Sequence, residues 1–230
     1  MGHVRLRAVP RTRKWRQVVD LVAGGASVDD VAAASADAAE NGLTKAADDR
    51  ALVRSFWLLT QLPQAAKQKD FAQALRDLGL EVSARPTLLE IAGAVTRAID
   101  RHVHLTGDRS DLGEMAQHAA TESFASLAGR DLPGLFSPTP IDVQKAIAKL
   151  GISERFSVLA RDFFSRLAYR YLSYFLSRDR SNHIGPNKRF ADVGARTEFN
   201  VALDLHCREA SRIIKEFSGG WYGKTLFQQG

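Results

Sequence analysis

Cysteine is all but missing from this chain: Cys207 is the only one in 230 residues. No disulfide can form within the chain, which fits a reducing compartment. Strand patterning is missing too, since nowhere do β-branched residues alternate with polar ones between turn signals. Long hydrophobic runs are absent, and no window approaches the roughly 18 uncharged apolar residues that a membrane-spanning helix needs. The N-terminus reads Met1-Gly2-His3-Val4-Arg5, with no apolar segment behind its charges to make a signal peptide. Leu6 stands where a myristoylation signal requires Ser or Thr. These absences lead us to expect a cytoplasmic protein with no membrane contact.

What is present is ordinary globular material. Hydrophobic residues make up 45% and charged residues 25% of the chain, a balance that argues against disorder. A chain of this length buries roughly 70% of the surface its unfolded form exposes, so neither a disulfide nor a structural metal is needed to hold a core. There is room for one large domain or two small ones.

Helical periodicity recurs along the sequence. Trp15, Val18, Val19 and Val22 repeat at i, i+3, i+4 and i+7, and Gly24-Gly25 closes that helix. Ser27 begins an alanine-rich helix with Asp29 and Asp30 in its first turn, and Asn41-Gly42 is the expected stop. Further helices are expected over about 48–62 (ending before Pro63), 68–78, 86–106 and 110–128. Pro133, Gly134, Pro138 and Pro140 mark the best boundary between subdomains. We therefore expect an all-α, irregular multi-helix bundle: residues 1–131 as an N-terminal helical subdomain with a basic arm, 132–140 as the connection, and 141–230 as a C-terminal helical subdomain with an aromatic tail. In that second part, helices are expected at 140–150 behind Thr139, at 153–179, and at 190–217 with a stop at Gly219-Gly220.

Charge is unevenly laid out. Residues 1–18 carry +6, residues 19–153 carry −5, and residues 154–230 carry +5. Basic ends around an acidic middle can hold a phosphate backbone, an anionic surface or an acidic partner, and they can equally close on the chain's own acids. The candidate contacts are Arg11, Arg13, Lys14 and Arg16 in the N-terminal arm, Arg166, Tyr169 and Arg170 on one face of the helix 153–179, and Lys188 and Arg189 in the loop after it. Cations interleaved with an aromatic ring can grip a DNA or RNA backbone and stack a base, or dock a protein. The ordinary alternative is a solvated face with a tyrosine at its edge. In the last helix, Phe199, Leu203, Ala210, Ile213 and Phe217 fall on one apolar stripe. Asp204–Arg208 and Arg212–Glu216 have the spacing of surface ion pairs.

Reaction centres are poorly represented. Gly219-Gly220-Trp221-Tyr222-Gly223-Lys224-Thr225 imitates the end of a phosphate loop. However, Ser218 replaces the first glycine, and no strand precedes it. Glu114, His118 and Glu122 lie at i, i+4 and i+8 on one helix, with His102 and His104 ending the helix before, so a metal-dependent enzyme is one alternative. His206 and Cys207 are adjacent, so in a helix they point about 100° apart and make no nucleophile–base dyad. No cofactor is implied. The leading expectation is a non-catalytic helical interaction subunit of a larger bacterial multi-protein assembly, bound to a partner protein. A nucleic-acid-binding module is the alternative.

Overall fold

Side-chain caps decide where most of the helices begin. The computed structural model describes residues 13–44, 48–107, 109–134, 137–180, 185 and 190–229. Among them are ten α-helices and no strand. They are α1 (Arg13–Ala23), α2 (Val28–Thr44), α3 (Arg50–Ala65), α4 (Phe71–Asp77), α5 (Leu88–Thr106), α6 (Asp111–Gly129), α7 (Pro140–Lys149), α8 (Ser153–Arg180), α9 (Val193–Ala210) and α10 (Arg212–Gln229). Asp49, Asp70, Thr87, Ser110, Thr139 and Asp192 each accept a hydrogen bond from a backbone N–H three residues on. Each bond satisfies an N–H that the first helical turn leaves open. At α7 the device is reciprocal, because the Asp142 carboxylate also accepts from the Thr139 backbone N–H at 2.9 Å. Gly107 ends α5 in the left-handed conformation at φ 76°, where a side chain would be strained.

The all-α expectation holds, with three local corrections. The second helix runs through Asn41-Gly42 to Thr44. The third does not stop before Pro63 but carries it, buried, in its last turn. Proline has no N–H for the carbonyl one turn back and its ring crowds that carbonyl, and the helix ends two residues later at Ala65. There it packs on the turn between α7 and α8, where a β-carbon on Gly151 would lie 3.1 Å from the Pro63 Cβ. The third correction is the largest. The single last helix expected over 190–217 is two helices broken at Ser211, and the second continues through Gly219-Gly220 to Gln229. Ser211 is buried, and both its N–H and its hydroxyl donate to the Cys207 carbonyl, at 3.1 and 2.7 Å. A hydroxyl competing for a helix carbonyl bends or ends the helix. Arg161 of α8 secures the end of α9 by donating to the Arg208 carbonyl at 2.8 and 3.2 Å.

One cluster of buried side chains runs from Trp15 to Tyr222. Its axis is α8, whose Phe156, Phe163, Leu167, Tyr171 and Phe175 are all buried among α2, α6, α9 and α10. Each fully buried phenylalanine among them contributes about 1.5–3 kcal/mol. α3 forms the second axis and packs on α4, α5, α6 and α7. Among the described residues, no helix is long and apolar enough to cross a membrane.

Candidate functional site

The surface feature that stands out lies between α3 and α10, and the sequence reading did not place it. α10 turns a narrow face inward: Ser211, Ser218 and Tyr222 are buried and Ile214 is half-buried. Gly219 and Gly223 let it approach α8 closely. A β-carbon at Gly219 would lie 3.0 Å from the Ser153 carbonyl oxygen, and one at Gly223 would lie 3.3 Å from the Ser153 hydroxyl. Glycine suits a helix face that comes this near its neighbour, since any side chain there would push the two helices apart. The run that imitates a phosphate loop is thus a stretch of helix in which Gly219 and Gly223 serve packing.

With that face inward, the opposite face shows large apolar groups to solvent. Ile213 is 59%, Phe217 70% and Trp221 48% exposed. Between α10 and α3 lies an open groove of about 840 Å³, lined by these three residues together with Phe56, Gly220 and Lys224. Phe56, on α3, stands beside Trp221 with ring centroids 6.0 Å apart. Behind it, Phe56 meets Phe163 and Phe164 of α8 at 5.6 and 5.3 Å, so the groove wall is part of the core. Gly220 forms a dent in the stripe, because a β-carbon there would have nothing within 4 Å.

The expected inward stripe therefore holds only in part. Phe199 and Leu203 of α9 are buried as expected, while Ile213 and Phe217 point outward. The break at Ser211 starts a new helix axis and resets its phase. The hint available in the sequence is the small-residue spacing from Gly219 to Gly223, with Ser218 before it and Tyr222 within it. Ion pairing shifts as well. Asp204–Arg208 forms at 2.8 Å, but Arg212 pairs with Glu209 at 3.5 Å and not with Glu216. Glu216 lines the groove instead.

The residues singled out from sequence are dispersed. Arg13 and Arg16 are exposed on α1, and Lys14 donates to the Asp37 carboxylate at 2.8 Å. Arg11, Lys188 and Arg189 lie outside the described residues. Arg166 and Arg170 both reach Glu122 of α6, and Arg166 also holds Asp162 at 2.7 Å. Burial pulls the Arg166 guanidinium down, but the bonds and charges of Asp162 and Glu122 outweigh it and leave its pKa raised. Tyr169 is half-buried against the core. These two arginines from the basic end thus close on an acid of the middle.

Glu122 is also one of the three α6 residues with metal-ligand spacing. Glu114 accepts from Arg109 at 3.0 Å, and His118 is exposed. Among the described residues, no three His, Cys, Asp or Glu side chains gather in an arrangement that holds a metal ion. His102 faces Arg54 and Arg50; burial first, then these two charges, lowers its pKa. His206 meets Asp29 of α2 at 3.0 Å. Cys207 is buried, and its thiol is pushed up to about 12 by burial and by Asp204. Such a thiol is a poor nucleophile.

Compared with protein-family models, with curated proteins and with solved structures, the chain finds no match.

Proposed function

We propose that this chain is a non-catalytic helical interaction subunit, and that the groove between α3 and α10 is where it docks a helix of a protein. The observation that carries this is the row of Ile213, Phe217 and Trp221, exposed along one helix beside a wall built into the core. Isolated exposed apolar residues are ordinary, but a contiguous apolar groove with a polar rim marks a contact surface. Anchors spaced about a turn apart suit an amphipathic helix laid into the groove. Trp and Phe are enriched in such interfaces because they bury much area with few rotamers to freeze.

The test is photo-crosslinking in the cells that make the protein. A benzophenone amino acid replaces Phe217, and a control replaces Gln73, an exposed residue of α4. The expected result is a crosslink from position 217 to a defined helical segment of a protein, with none from position 73. Absence of any crosslink from position 217 would refute the docking reading.

A further inference from the structure

We infer that the helix received by this groove is α10 of a second copy of the chain, with the two helices antiparallel and crossing at Gly220. This rests on the reading of the groove as a docking surface and names its occupant.

The charges on the groove rim are self-complementary about one residue. Glu216 lies four positions before Gly220 and Lys224 four positions after it, and both line the groove. Both are exposed, and among the described residues neither meets an opposite charge within its own chain. A two-fold axis through Gly220 brings residues equidistant from it face to face. Glu216 of each copy then meets Lys224 of the other, in two equal pairs about 6 Å to either side of Gly220 along the helix. A parallel arrangement would set Glu216 against Glu216 and Lys224 against Lys224, which is repulsive. The other exposed cations of α10 also avoid like charge in the antiparallel register: Arg212 falls opposite position 228 and Lys215 opposite position 225, which are Gln and Thr in the sequence.

Sterics select the same crossing point. Gly220 has open space where a β-carbon would be, so nothing in its own chain accounts for glycine there. Glycine at a helix crossing lets two backbones come close. Ile213, Phe217, Gly220 and Lys224 follow spacings of four, three and four, the seam of paired helices. Phe217 and Trp221 flank the crossing and enter the partner's groove beside Phe56.

The experiment is sedimentation equilibrium of the full chain at low ionic strength, where exposed charge pairs are least screened. The wild-type chain is expected to show a concentration-dependent dimer. Glu216→Lys alone and Lys224→Glu alone each turn two attractive pairs repulsive and weaken dimerisation by about tenfold. Mixing the two single variants restores wild-type association, because each then meets its complement, and so does the double variant in one chain. Gly220→Leu keeps the helical circular dichroism and loses the dimer. A wild-type chain that stays monomeric, or a dimer indifferent to the charge reversals and to Gly220→Leu, overturns the inference. Self-pairing fails alone, leaving the docking reading intact, if the chain is monomeric while position 217 crosslinks to a different protein.

Discussion

Phe156 of α8 and Tyr222 of α10 lie face to face, with ring centroids 3.8 Å apart and planes 10° from parallel. The tyrosine hydroxyl accepts from the Gln64 side-chain amide and donates to the Thr60 carbonyl at 3.3 Å, both on α3. One side chain thus ties α10 to both axes of the bundle and fixes which face of α10 is left outside. Burial raises the pKa of this hydroxyl, and the bond from Gln64 pulls it the other way. Tyr222→Phe keeps the stack but takes this partner from the buried Thr60 carbonyl and the half-buried Gln64 amide, and is expected to cost about 1–2 kcal/mol. Tyr222→Ala removes the stack as well and is expected to cost about 3–5 kcal/mol. Urea unfolding curves check both values, and equal losses for the two variants would mean that the ring contributes nothing beyond the hydroxyl.

Two adjacent glycines of α10 are expected to respond in opposite directions. Gly219→Ala puts a methyl 3.0 Å from the Ser153 carbonyl oxygen and is expected to destabilise by about 1–3 kcal/mol. Gly220→Ala meets nothing and is expected to stabilise by about 0.5–1 kcal/mol, since alanine loses less backbone entropy in a helix. The midpoints of denaturation, taken at dilution where the chain is monomeric, should move to either side of the wild-type value.

The Cys207 thiol supplies a prediction in pH. Its folded pKa of about 12 lies above the ordinary thiol value, so the unfolded chain loses this proton first as pH rises. Stability from this group is complete below the unfolded pKa. It then declines by up to ~1.4 kcal/mol per pH unit until the folded pKa is reached. Subtracting the profile of Cys207→Ala isolates the effect from that of the tyrosines. The native thiol should also resist a thiol reagent at mildly alkaline pH and react once urea unfolds the chain.

Glu122 holds two arginines at once. Glu122→Gln removes both charge pairs while keeping the side-chain volume. A loss of about 1 kcal/mol is expected, because the groups are only partly buried and solvent screens them. The same change leaves Arg166 uncompensated on the α6 side and Arg170 without this partner, so the variant should need more salt than the wild type to leave a heparin column. Unchanged elution would show that Glu122 does not mask these cations.

Most of the fold could be read from residues close together in sequence. Thr139 with Asp142, Ser110 ahead of α6 and Gly107 behind α5 act through bonds spanning three or four residues, so their effect is visible in a short window. The helix starts, the all-α class and the core role of Phe156, Phe163 and Tyr171 follow from such windows. The groove was not legible in this way. Its placement depends on Ser211 breaking a continuous periodic pattern, and Ile213 and Phe217 belong to that pattern until the break is known.

By itself, then, the sequence determined that this chain makes helices, roughly where they begin, and that basic ends surround an acidic centre. Only the tertiary structure decided which face of α10 turns inward, that Arg166 and Arg170 meet Glu122, and that Glu216 is left beside the groove while Arg212 turns to Glu209. The reason is one of range. Caps and helical periodicity are settled by hydrogen bonds within a turn or two, whereas the inward face of a helix is settled by whatever it packs against. For α10 those neighbours are Ser153, Phe156 and Gln64, some 65 to 160 positions away in the chain.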